Sequence, residues 1–187
     1  MRIEKLVREE NVAIKWVHFP LHPNTPQEGQ TLAALFAGRG MDIPQMNQQM
    51  TARMQAEGLP YGNRTHTYNS RLAQELGAWA DTQPGGDAIH DALFRAYFVD
   101  GLNVGDVDVL QQVAESVGLD RSAAQEVLDQ RTFKEAIDRD WEKSRQYGVT
   151  GVPTFVTGGQ GLVGAQPYEA LVSMVQQVRA SSSGPST

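Results

Sequence analysis

The sequence predicts an α/β protein in which a core that contains a β-sheet is interrupted by a large all-helical insertion. Three observations carry this prediction: a β-rich run at 12–19, helical periodicity from 31 to 147, and a short hairpin pattern followed by one closing helix. We expect the core to comprise 1–29 and 141–180, the insertion 30–140, and a disordered tail 181–187.

The composition argues against some classes of binding partner. The chain has 187 residues, 40% of them apolar, and carries sixteen Lys and Arg against twenty-two Asp and Glu. A net charge of -6 without a basic cluster argues against a nucleic-acid or anionic-membrane partner. No apolar run approaches the roughly 20 residues needed to cross a bilayer. No basic-then-apolar leader precedes Lys15, so the cytoplasm is the expected compartment.

The amino-terminal part predicts a helix followed by a strand. Ile3, Leu6 and Val7 share one face of a helix over 1–10. The next run, VAIKWVHF, is rich in β-forming residues and ends at Pro20, which favours a strand over 12–19.

The middle of the chain predicts a series of helices separated by turn clusters at 82–86 and 101–105. Asp106 is expected to cap a helix that Gly118 closes. That helix has a continuous apolar stripe, formed by Val107, Leu110, Val113, Ala114 and Val117.

The carboxyl-terminal part predicts a β-hairpin and a helix. Two short β-type runs flank the Gly158-Gly159 pair, which is a typical hairpin turn, and Pro167 stands at the start of the closing helix. The whole order is that of a βαβ–ββα core from which the first strand is missing.

Several segments resemble the DsbA-like thioredoxin superfamily, and in particular its FrnE-like and 2-hydroxychromene-2-carboxylate isomerase branch. They are GVTGVPTFV (148–156), GAQPYEAL (164–171), WVHFPLHPNTPQEG (16–29), YNSRLAQELG (68–77) and ALFRAYFVDGLNVGD (92–106). The resemblance implies a thioredoxin-like core. It implies a thiol–disulfide oxidoreductase, or alternatively a glutathione-dependent isomerase of the 2-hydroxychromene-2-carboxylate type.

The resemblance also implies a substrate-binding surface. Val152-Pro153 would be a cis peptide bond at the start of a strand, where Val152, Pro153 and Thr154 could pair with an extended peptide or with glutathione. A trans proline that merely begins a strand is the alternative. His18 and Asn69 are further candidates to face the substrate. For His18 the alternative is a surface or packing role, and for Asn69 it is helix capping.

The chain contains no cysteine, so its own residues supply no redox thiol and we assign no catalytic residue. The oxidoreductases of the resembled family carry Cys-x-x-Cys at the start of the first helix. Three explanations stay open: the cysteines and first strand belong to a longer product, a strand comes from another subunit of a homodimer, or the amino-terminal arrangement differs. A non-catalytic module that binds a peptide or partner is the corresponding functional alternative.

No metal site and no cofactor other than glutathione are expected. His18 and His22 flank the loop after the predicted strand, but no further ligands converge with them in the sequence.

Overall fold

The computed structural model describes residues 2–182. By internal contacts the chain divides into two compact units, one formed by 1–21 and 141–187 and the other by 22–140. We call them the core unit and the helical unit. The loop 22–29 belongs to the helical unit. Of the predicted tail, residues 183–187 lie outside the described part of the chain.

Helices dominate the described residues. They are α1 (Arg2–Glu10), α2 (Leu32–Leu35), α3 (Ile43–Ala56), α4 (Arg71–Ala80), α5 (Ala88–Phe98), α6 (Val107–Ser116), α7 (Arg121–Gln130), α8 (Lys134–Gln146) and α9 (Tyr168–Ser182). The strands are β1 (Gln30–Thr31), β2 (His66–Thr67), β3 (Thr154–Thr157) and β4 (Gln160–Val163). None of the helices described here combines the length and the apolarity needed to span a membrane.

The core unit is built on the predicted hairpin. β3 and β4 pair antiparallel, from Thr154 opposite Val163 to Thr157 opposite Gln160. Gly158 and Gly159 both have positive φ, +53° and +77°, as a two-residue hairpin turn requires. The hairpin prediction is therefore confirmed. Leu6 of α1 is buried together with Leu171 and Val175 of α9. Phe155 and Leu162 of the hairpin pack against them.

The strand predicted over 12–19 does not form, and that prediction is wrong. A strand exists only through hydrogen bonds to a neighbour, and in the described part of the core unit only β3 and β4 pair. Ile14 and Trp16 remain 40% and 54% exposed. The β-rich composition of this run is thus not sufficient to place it in a sheet.

The helical unit buries one large apolar cluster, with α6 packed against α5 and α7. Its fully buried members include Leu76, Ile89 and Leu110. One feature was not predicted: β1 and β2 form a short antiparallel pair, so the insertion is not entirely helical. At the end of α7, Arg131 adopts the left-handed conformation with φ +54°.

The Asp106 cap is confirmed, since its side chain accepts hydrogen bonds from the amides of Asp108 (2.8 Å) and Val109 (3.2 Å). Asp106→Ala should lower the free energy of unfolding by about 1 kcal/mol, measured by urea denaturation. Asp87 precedes α5 without a side-chain cap bond, so Asp87→Ala is the matched control. Equal decreases in the free energy of unfolding for Asp106→Ala and Asp87→Ala would contradict the capping role.

Candidate functional site

The candidate site of the core unit is the loop that leads into β3. Thr154 closes this loop by donating from Oγ1 to the carbonyl of Gly151 at 2.7 Å. The Val152–Pro153 peptide bond is cis. The side chain of Val152 is 52% exposed, and Pro153 is exposed as well. The loop therefore presents an apolar surface whose backbone is fixed by Thr154.

The backbone of Val152 is the unpaired edge of this surface. Among the described residues neither its N–H nor its C=O has a hydrogen-bond partner, whereas the adjacent Pro153 carbonyl accepts from the Gly164 amide at 2.7 Å. Exposed, unpaired donors and acceptors next to a strand can take up an extended peptide by backbone pairing. This edge is what the geometry offers a ligand.

The amino end of α1 reaches the same region through the connection 164–166. Arg2 donates from Nη1 to the carbonyl of Gln166 at 3.0 Å and to that of Ala165 at 3.5 Å. Gly164, which holds Pro153, is the preceding residue. Pro153 and the side chain of Arg2 are thus both hydrogen-bonded to the segment 164–166.

The other predicted site residues have structural contacts. The carbonyl of His18 accepts from Ser144 Oγ at 3.2 Å within the core unit. Asn69 lies in the helical unit, where its Nδ2 donates to the Thr25 carbonyl (2.8 Å) and its Oδ1 accepts from the Arg71 amide (2.9 Å). Its Oδ1 therefore bonds the first amide of α4, whereas its Nδ2 connects Asn69 to the loop 22–29.

No reactive group is apparent on the described surface of the core unit. The chain has no thiol. Desolvation and the hydrogen bond to Glu9 raise the pKa of Tyr168 to about 12, so its hydroxyl stays protonated at neutral pH. Within residues 2–182, no three His, Cys, Asp or Glu side chains are arranged to hold a metal ion.

The structure also reveals a polar cavity of about 240 Å³ in the helical unit that sequence reasoning missed. It lies where the chain before β2 meets the end of α5. Gly62 permits this approach, because a Cβ there would lie 2.1 Å from the Val99 carbonyl oxygen. The lining residues are Asn63, Arg64, Thr65, His66, Tyr68, Tyr97, Asp100 and Gly101.

Comparison with known families decides what kind of protein this is. The model of the DSBA-like thioredoxin domain matches residues 1–176. The chain belongs to this family. The resemblance found in the sequence motifs is thereby confirmed, and so is the thioredoxin-like fold class.

Individual DSBA-like relatives are distant but cover most of the chain. The uncharacterized protein YwbO of Bacillus subtilis (strain 168) is 25% identical over 199 residues, which is 93% of this chain and 88% of that protein. A probable DsbA oxidoreductase from Streptomyces coelicolor superposes with a TM-score of 0.86 and 28% identity. The match covers 96% of this chain and 82% of the oxidoreductase chain. A 2-hydroxychromene-2-carboxylate isomerase superposes with a TM-score of 0.70 and 19% identity. The match covers 99% of this chain and 91% of the isomerase chain, and the two share the fold.

Proposed function

We propose that this chain is the substrate-binding part of a DsbA/FrnE-type thiol–disulfide oxidoreductase whose redox cysteines lie outside its 187 residues. The ligand would be an extended peptide that contains a thiol or a disulfide. Val152 would pair with its backbone, while Pro153 and Thr154 would shape the surface. Exchange itself requires a thiolate that attacks the disulfide through a mixed disulfide, and this chain provides none.

The observation that carries the proposal is the unpaired backbone of Val152, exposed beside a hairpin whose register is fixed. Backbone pairing recognises any extended peptide, and an adjacent apolar surface adds affinity for its side chains. The higher identity and TM-score with the Streptomyces coelicolor oxidoreductase than with the isomerase favour the oxidoreductase branch. His18 and Asn69 stay predictions as ligand contacts.

The proposal predicts peptide binding without redox activity. Titration of the 15N-labelled chain with a hexapeptide that contains one S-methylcysteine should shift the amide resonances of Val152 and Thr154. Val152→Pro removes the only amide donor of that residue and should weaken binding at least tenfold. Val152→Thr retains both the donor and the β-branched shape, so it serves as the matched control. The chain should not accelerate the reduction of insulin by dithiothreitol.

Each alternative gives a different result. A site that takes glutathione rather than peptide would respond to S-methylglutathione and not to the hexapeptide, as expected for the glutathione-dependent isomerase alternative. Hexapeptide shifts that are equal in Val152→Pro would show that the Val152 backbone is not the binding edge. Peptide binding by a full-length product that also lacks cysteine would favour the non-catalytic module. The cytoplasmic location and the homodimer stay predictions, open to cell fractionation and size-exclusion chromatography.

A further inference from the structure

Arg64 is held in an unusual way in the helical unit. Its Nη2 donates to the hydroxyl of Tyr97 at 2.6 Å and to the His66 carbonyl at 3.4 Å. Its guanidinium carbon lies 4.5 Å from the ring centre of Tyr97 and 5.1 Å from that of Phe98. Two aromatic faces and a hydroxyl therefore fix the orientation of a cation at the wall of the 240 Å³ cavity.

The charge of Arg64 is not neutralised. Among the described residues no carboxylate lies within 4.0 Å of it, whereas Arg71 and Arg131 of the same unit both contact Glu75. Its Nε is buried and has no hydrogen-bond partner. The hydrogen bonds described for Arg64 both come from Nη2, so its Nη1 is unused as well. Because Nη2 already donates to two partners, an anion can be bound only through single hydrogen bonds from the remaining donors of Arg64.

The surroundings add a further donor. Asn63 accepts through Oδ1 from Asn47 at 3.3 Å, so its own NH₂ group is unused among the described contacts. Asp100 also lines the cavity, but it is paired with Arg95 at 3.6 Å.

The size and walls of the cavity indicate which anion fits. A volume of about 240 Å³ lies below the roughly 300–1,000 Å³ typical of pockets for drug-sized molecules, so the ligand must be small. The rings of His66 and Tyr68 lie nearly parallel, with centres 6.0 Å apart and an angle of 8°. Both residues line the cavity, so a planar body has aromatic surface to pack against there.

We propose that this cavity binds a small organic carboxylate with a planar body, with Arg64 as the anchor and Asn63 as an additional donor. The site lies entirely within the helical unit and does not depend on the peptide-binding proposal at Val152. It gives the helical unit a ligand of its own.

Isothermal titration of the full chain with benzoate tests this proposal. Binding should be measurable below 1 mM, at least tenfold tighter than that of inorganic phosphate, and should shift the amide resonances of Arg64 and His66. Arg64→Gln should weaken benzoate binding at least tenfold, and Arg64→Lys should also weaken it because an ammonium group cannot keep the contacts to Tyr97 and His66 that orient the cation. Arg53→Gln is the matched control, since Arg53 is an exposed arginine without a described ion pair.

The possible results of this titration support or contradict the proposal as follows. Thermal denaturation and the amide spectrum of each variant establish that it is folded, and Arg64→Lys keeps the comparison interpretable if Arg64→Gln is not. Benzoate binding that is unchanged in a folded Arg64 variant would overturn the proposal. So would phosphate binding as tight as benzoate, or no benzoate binding at 10 mM.

Discussion

Replacing Glu75 with alanine is expected to lower the free energy of unfolding by about 3 kcal/mol. The side chain of Glu75 is completely buried, and all its hydrogen bonds come from arginines. Oε1 accepts from Arg71 Nε and Arg131 Nη2, and Oε2 accepts from Arg131 Nε, each at 2.7 Å. Removing the carboxylate leaves two cations facing a buried space, which costs more than the pairing itself contributed.

Urea denaturation of Glu75→Ala and Glu75→Gln measures this effect. Glutamine keeps the shape and one acceptor oxygen, so it should cost less than alanine. Glu126→Gln is the control, because Glu126 is exposed and contacts only Gln130 among the described hydrogen bonds, and it should change stability by less than about 0.5 kcal/mol. A Glu75→Ala loss as small as that of Glu126→Gln would show that the buried contacts contribute little.

The same carboxylate makes stability depend on pH in a defined direction. Burial alone would raise the pKa of Glu75, but hydrogen bonds and charges from Arg131 and Arg71 outweigh it, and the pKa lies below its ordinary 4.5. A group whose pKa is depressed by folding stabilises the protein fully above its unfolded pKa and ceases to do so as the pH falls through its folded pKa. The stability difference between wild type and Glu75→Gln should therefore be constant at neutral pH and shrink below about pH 4.5.

Leu110→Ala should have an effect of similar size, a loss of about 2–5 kcal/mol. Leu110 is fully buried in α6, which packs against α5 and α7, so the lost methyl groups leave a cavity at the centre of the apolar cluster. Leu102→Ala is the control because Leu102 is 40% exposed, and it should shift the urea midpoint only slightly. A small loss for Leu110→Ala would mean that neighbouring helices collapse into the space.

Features set by neighbouring residues were predictable from the sequence. The Asp106 cap and the Gly158-Gly159 turn depend on contacts within a few positions, and both are where the pattern placed them. The family was recognisable because its motifs recur in the right order along nearly the whole chain.

Features that depend on distant partners were not predictable. The run 12–19 has the composition of a strand, yet a strand also needs a neighbour, which local composition does not report. The cavity at Arg64 requires Tyr97, which is separated from it along the chain by the whole of α4. Asp138 of α8 accepts from Arg71 of α4 at 2.7 Å, a contact between distant segments that no local pattern indicates.

The left-handed backbone at Arg131 has a consequence for how this position can vary. Glycine relieves the steric cost of φ +54° and is the usual residue at the end of a helix, so backbone conformation alone would select it. The carboxylate at position 75 selects arginine instead. The two positions should therefore vary together among related sequences. Where residue 75 is neutral, glycine should replace arginine at 131. Where residue 75 is glutamate, arginine should be kept at 131 despite its sterically unfavourable left-handed conformation.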